Sequence, residues 1–301
     1  KIIEFYLVGL ICFFTSKIIF NITSNKSLAL IFSIILMIIF TGEKYTTFIG
    51  KGLTEYYAAF FIILSVFLLQ KFNLSFLLYL TLFIFSLIGL GFREDHIFVI
   101  FSIIYYSRNF DYINLKGESL LKKFYLITIQ NYKIIFGFGF LVISCFILLL
   151  LRNILATEDI TNTLKIFEIV VPSLNKIFSL SHPSLATSVD TSAPSAYIQE
   201  SFIHAYYRMF FGSSPWEIPR LTSIFLISGF IIAIISILKT EIRQISLGSV
   251  LAIISILIPY VIILNHGYEP RYTIHYLPFC LIIIAEYINT RFKYSKFFVK
   301  F

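Results

Sequence analysis

Residues 265–279 read Asn-His-Gly-Tyr-Glu-Pro-Arg-Tyr-Thr-Ile-His-Tyr-Leu-Pro-Phe, and they gather His266, Glu269 and Arg271 between two long apolar runs, 245–264 and 272–289. A charge at the end of an apolar helix is costly unless it reaches water, a partner or a ligand. Pro270 fixes the backbone just before the second run, so Arg271 is aimed rather than free to wander. A guanidinium can grip a phosphate through two parallel hydrogen bonds. The alternative role for Arg271 is an interfacial anchor paired with Glu269. A second cluster, Arg93-Glu94-Asp95-His96, separates two other apolar runs with almost no spacer. A turn needed only for chain reversal would use Gly, Ser or Asn. Arg or Asp costs about 2.5–3.5 kcal/mol at the centre of a bilayer and far less at its surface, so a snorkelling hairpin is the other reading. Glu55 stands third, in Gly52-Leu-Thr-Glu-Tyr, where the dipole of a starting helix already favours an acid. Lys51 and Tyr272 flank these clusters and join the candidate set.

The elements that position these residues are set by composition. Apolar residues make up 58% of the chain, charged residues 13%, and the mean hydropathy is +0.88. A soluble domain carries roughly twice that charge fraction. Thirty-five Phe and nineteen Tyr suit helices in lipid with aromatic ends at the interface. The expectation is an all-α, polytopic transmembrane bundle. Runs at 2–20, 28–40, 53–69, 74–92, 96–108, 134–151, 221–238, 245–264 and 272–289 give about nine spans, the second and fifth being short. Three units follow: N-terminal transmembrane helices over 1–151, an outer loop with amphipathic helices over 152–220, and C-terminal helices with a basic tail over 221–301.

Lys and Arg in short connections set orientation. With the tail inside and nine spans, fourteen of the 24 basic residues fall on inner segments, five on short outer ones and five in the long loop. The acids give an independent check, since twelve of sixteen fall on the outer side. The N-terminus is therefore expected outside and the C-terminus inside. The net charge of +8 is dispersed and follows this topology, so it does not point to nucleic acid. Leu120–Gln130 reads as a short helix on the inner surface, with Lys122 and Lys123 near anionic headgroups. In the long loop, 161–180 reads as an interfacial helix broken at Pro172, 181–195 as a flexible flap, and 197–211 as an amphipathic helix carrying Glu200, His204 and Arg208 on one solvated face.

Cys12, Cys145 and Cys280 lie in apolar runs, too scattered for a metal motif. No Gly-rich phosphate loop, His-Glu-x-x-His or Gly-x-Ser-x-Gly occurs, so no motif calls for a metal or a cofactor.

The order of a Thr-acid at a helix start, a span closing on Gly-x-basic and a late Arg-Tyr with a following Pro resembles membrane glycosyltransferases of the C fold (GT-C). The nearest in pattern are dolichyl-phosphate-mannose protein mannosyltransferases and bacterial lipid-linked-sugar transferases. The matching residues are Thr54-Glu55, Arg93 after Gly89-Leu-Gly91-Phe92, and Arg271-Tyr272 through Pro278. The resemblance implies sugar transfer from a polyprenyl-phosphate donor to a lipid, glycan or protein acceptor at the outer face. A carboxylate would activate the acceptor hydroxyl, and Arg and Lys would hold the departing phosphate. Arg93, Glu94, His96, Lys51, His266, Glu269, Arg271 and Tyr272 are the expected substrate-binding residues. Such enzymes carry a catalytic acid, usually Asp, in the outer loop after their first span. This chain opens on Lys1 directly before a span that starts outside, so that acid is expected upstream, with Asp95 and Glu55 as second choices.

The resemblance also implies an integral, multi-pass protein of a bacterial inner membrane with its active side facing out. Two rivals remain: a transporter or lipid flippase, which calls for ionisable residues near mid-membrane and inverted repeats, and a polymerase or ligase of lipid-linked glycans. Of the acids, Glu286 alone lies deep in a span.

Overall fold

The computed structural model describes residues 2–42, 54–92, 97–107, 120–157, 220–238, 245–263 and 276–293. Every regular element among them is helical. The helices are α1 (Ile2–Thr23), α2 (Lys26–Thr41), α3 (Thr54–Lys71), α4 (Phe76–Phe92), α5 (Ile97–Ile103), α6 (Leu120–Gln130), α7 (Tyr132–Thr157), α8 (Arg220–Leu238), α9 (Leu247–Ile263) and α10 (Leu277–Lys293). A 3-10 turn, Ile104–Tyr106, prolongs α5. The fold is thus all-α, as expected. A helix falls on each of the nine apolar runs, and α6 is the short helix expected at 120–130. Several helix ends move by a few residues, and one of them bears on the site. α7 continues past residue 151 to Thr157, so Arg152, assigned above to the outer loop, stands on a helix. The elements expected at 161–180, 181–195 and 197–211 lie outside the described residues.

Local chemistry sets the turns between helices. Ser24 adopts a left-handed backbone with φ 56°, and the Asn25 side chain accepts from the Leu28 amide at 3.1 Å to cap α2. Ser75 does the same for α4, accepting from Leu78 N–H at 3.2 Å. Asn131 joins α6 to α7 in a single residue: its amide donates to the Ile127 carbonyl, and its own carbonyl accepts from Ile134 and Ile135.

Side-chain contacts fix the direction of each packed pair. α1 and α2 form an antiparallel hairpin, with Ser16 Oγ donating to the Ala29 carbonyl at 3.1 Å and Ser33 Oγ to the Cys12 carbonyl at 3.4 Å. Phe14 meets Phe60 and Phe67 to seat α1 on α3. Phe61 meets Phe85 at 5.3 Å between antiparallel α3 and α4. α4 and α7 run parallel: Tyr79 pairs with Ile134 at 3.4 Å, and further along both helices Phe83 pairs with Cys145 at 3.6 Å.

α10 is the central helix. Eleven consecutive residues, Tyr276–Glu286, are buried, against α1, α2, α8 and α9. A helix that is apolar and buried on all sides belongs at the middle of a bundle. It packs closely because Gly229 of α8 leaves room. A Cβ at that glycine would lie 2.8 Å from Cys280 Cβ and 3.0 Å from Cys280 Cα. Small residues at helix contacts are how backbones approach when apolar surface alone does not drive association.

The outside of the bundle is apolar as well. Phe76 (85% exposed), Phe140 (74%) and Phe136 (71%) stand outward, with Phe13, Leu30, Ile84 and Ile147 also exposed. Monomeric water-soluble proteins rarely present contiguous surface of this kind. Two helical stretches among the described residues are long and apolar enough to cross a membrane, α1 and Tyr132–Leu149 of α7. Lys26–Thr41, Phe76–Gly91 and Ile224–Leu238 are shorter apolar helices.

The close approach of α8 and α10 gives a measurable expectation. Gly229→Ala should destabilise the protein by about 1–3 kcal/mol, because overpacking must move one backbone. Gly137→Ala in α7 meets nothing within 4 Å and should be neutral, or stabilising by up to about 1 kcal/mol through helix propensity. Thermal unfolding of both variants in detergent checks this, and equal melting temperatures would contradict the packing.

Candidate functional site

Nine of the ten candidate residues, Lys51, Arg93, Glu94, Asp95, His96, His266, Glu269, Arg271 and Tyr272, lie outside the described residues. The tenth, Glu55, stands in the first turn of α3 and is buried, at 1% exposure. Its neighbour Tyr56 is buried edge-on against Phe40 of α2, with ring centroids 6.0 Å apart and planes at 81°. The start of α3 is thus seated on the end of α2. The antiparallel register of α3 and α4 brings the last turn of α4 level with the first turns of α3, since Gly89 faces Phe61 from the next turn beyond Phe85. α4 ends at Phe92, and the Arg93–His96 cluster follows it directly in sequence. Glu55 and the end of α4 therefore belong to one end of the bundle. α7 runs parallel to α4 and brings Arg152 to the same end.

The opposite end holds a polar network that the sequence reading did not assign. α9 begins at Leu247, and Ser246 is its cap: Ser246 Oγ accepts from Ser249 N–H at 3.3 Å, and its carbonyl accepts from Val250 N–H. In a local capping box a Glu three residues on would accept from the cap's own amide. Here that position is Ser249, and the carboxylate comes from Glu286 of α10 instead. Glu286 Oε2 accepts from Ser246 N–H at 2.7 Å. Glu286 Oε1 accepts from Ser246 Oγ at 2.8 Å and from Ser249 Oγ at 2.7 Å. Tyr106 then donates its hydroxyl to Ser249 Oγ at 3.0 Å, which draws the turn after α5 into the network.

Gly248 makes this approach possible, because a Cβ there would lie 2.8 Å from the Tyr106 ring. On the same side, Asn289 donates to the Thr23 carbonyl at 3.2 Å and ties α10 to the end of α1. Glu286 is 1% exposed, both of its oxygens are engaged, and it faces the positive end of a helix dipole. That is the geometry of a structural cap. The signals available in sequence were the Ser-x-x-Ser before an apolar run and a single acid inside the last one. Only the fold joins them.

Among the described residues no group of three or more His, Cys, Asp or Glu comes together, so they build no metal centre. Cys12, Cys145 and Cys280 are all buried and free.

Glu286→Ala would leave the Ser246 amide without an acceptor and take one from the two serine hydroxyls, which can still pair with each other at 2.8 Å. Each orphaned buried group costs about 1–3 kcal/mol, so the expected loss exceeds that of an ordinary surface change several-fold. Glu286→Gln should fall between, because only one of its two terminal atoms can accept. Unfolding in detergent gives the order wild type, Gln, Ala. An Ala variant as stable as wild type would contradict the cap. In comparisons with known proteins, no family model, no curated protein and no solved structure matches this chain.

Proposed function

We propose that the chain is a multi-pass membrane protein in which α1–α4 and α7–α10 cross the bilayer, the run 96–108 that holds α5 makes the fifth pass, and α6 lies on the inner surface. We further propose that it transfers a sugar from a polyprenyl-phosphate donor at its outer face.

The observation that carries the first part is the agreement between helix directions and charge. Nine alternating spans with the basic tail inside require α4 and α7 to run parallel, α8 and α10 to run parallel, and α9 to run against α10. The contacts Tyr79–Ile134 and Phe83–Cys145, and the junction of Ser246 with Glu286, have the first and the last of those senses. The charge count used none of this information. The outward Phe and Ile side chains then meet acyl chains rather than water. Length also fits: Lys133 and Arg152 lie at the two ends of the apolar part of α7, about 28 Å apart at 1.5 Å per residue, close to a hydrocarbon core of about 30 Å.

The second part follows from where reactive groups collect. The inner end, rich in lysine and poor in acids, is closed by the Glu286 cap. The other end has Glu55, the close of α4 with Arg93–His96 next in sequence, and the segment 265–272 after α9. Acids and arginines at one face of an apolar bundle suit a phosphate-linked lipid substrate whose tail stays in the bilayer. A transporter reading calls for a working ionisable residue in the bundle, and the engaged carboxylate of Glu286 offers little support for one. Integral placement in a bacterial inner membrane, with the active face outward, belongs to this proposal.

Donor binding tests it. Arg271→Lys and Arg93→Lys keep the charge and lose the fork. Loss of one charge-assisted hydrogen bond, about 1.5–3 kcal/mol, weakens affinity roughly tenfold to a hundredfold. The expected result with polyprenyl-phosphate sugars is such a loss at unchanged thermal stability. A surface ion pair alone would give about 0–1 kcal/mol. Unchanged binding in both variants would contradict the phosphate role.

A further inference from the structure

Between α4 and α7 lies an open groove of about 630 Å³, lined by Leu87, Ile88, Gly91, Leu148, Leu149 and Arg152. The size falls within the range of small-molecule sites, about 300–1,000 Å³. The lining residues repeat at helical spacing. Leu87 and Gly91 are four apart on α4, and Leu148 and Arg152 are four apart on α7, so each helix gives one continuous stripe. Gly91 leaves the groove open: it is exposed and carries no side chain. Below the groove the helices are held together by the Phe83–Cys145 contact. Its flanks, Ile84, Ile147 and Leu151, are exposed and apolar. Arg152 is the one charged residue in the lining, and it is exposed. Among the described residues its side chain makes no ion pair or hydrogen bond.

We infer that this groove binds one anionic phospholipid, with an acyl chain along Leu87, Ile88, Leu148 and Leu149 and its phosphate on Arg152. Three features point to that occupant. The groove opens sideways onto apolar surface, which a water-soluble ligand would not favour. Its one polar contact is a guanidinium, whose fork matches a phosphate better than a point charge does. Arg152 lies about one hydrocarbon thickness along α7 from Lys133, which is the level of lipid phosphates. Snorkelling alone would need the cation but not the groove beneath it. The site rests on the membrane placement of α4 and α7 and not on sugar transfer. Loss of phosphate binding at Arg93 and Arg271 would leave it standing.

The test uses the full chain purified in a neutral detergent, with native mass spectrometry and titration of dioleoyl phosphatidylglycerol, dioleoyl phosphatidylcholine and the deacylated headgroup glycerophosphoglycerol. Phosphatidylglycerol is expected to bind saturably, at one molecule per chain and at least tenfold tighter than phosphatidylcholine. The deacylated headgroup should not compete at equal concentration. Arg152→Gln should bring phosphatidylglycerol to the phosphatidylcholine level, a loss of about tenfold to a hundredfold, with unchanged melting temperature because the side chain is exposed. Gly91→Leu should weaken both lipids by filling the groove; its Cβ fits, with Leu149 Cδ2 3.8 Å away. The proposal is overturned if Arg152→Gln binds phosphatidylglycerol like wild type, if the two lipids bind alike, if Gly91→Leu changes neither, or if the headgroup alone competes as well as the lipid.

Discussion

The carboxylate of Glu286 accepts the Ser246 amide and two serine hydroxyls, and the rest of the bundle depends on that junction. A buried charge in an apolar interior is tolerable only when it is fully hydrogen-bonded. Here the same bonds satisfy an orphan amide at the start of α9. One interaction therefore removes two penalties, and it does so between the central helix and its neighbour. Through Tyr106 it extends to the end of α5, and Asn289, one turn on, reaches the end of α1. Four chain segments distant in sequence are brought together at one end of the molecule.

Close packing in the middle is steric rather than polar. Gly229 against Cys280 and Gly248 against Tyr106 let backbones and rings approach where any Cβ would interfere. Between α4 and α7 the missing side chain of Gly91 instead leaves a groove that Arg152 also lines. The outer surface contributes in the opposite sense. Its exposed Phe and Ile residues gain nothing from water, and an apolar surround suits them better.

The helices were legible because each apolar run is long, bounded by polar residues and free of competing strand signals. The α6 segment was legible too, since it is a short run bounded by charge and a polar turn. The end of α7 was not legible for a physical reason: a charge ends an apolar run but not a helix, and α7 continues through Arg152 to Thr157. Glu286 was visible as an acid in a span, but its partners lie about forty residues away, in a Ser-x-x-Ser that resembles any helix start. Nothing in residues 277–293 alone distinguishes a cap from a proton carrier. The contact of Gly229 with Cys280 was hidden in the same way, because close approach is a property of pairs. Of the candidate site only Glu55 can be set against the structure, which adds its burial to the helix-start position read from sequence.

The central claim is that the end of the bundle closed by Glu286 faces inward and the end bearing Glu55 and Arg152 faces outward. Single cysteines introduced at Asn73, in the exposed turn between α3 and α4, and at Asp190, between α7 and α8, test it directly. The native thiols are buried and should give little background labelling. With a membrane-impermeant maleimide on intact cells, Asp190→Cys is expected to label, and Asn73→Cys only after permeabilisation. Labelling of Asn73→Cys from outside, or of Asp190→Cys only after permeabilisation, would contradict the orientation and with it the assignment of the outer face as the site of chemistry.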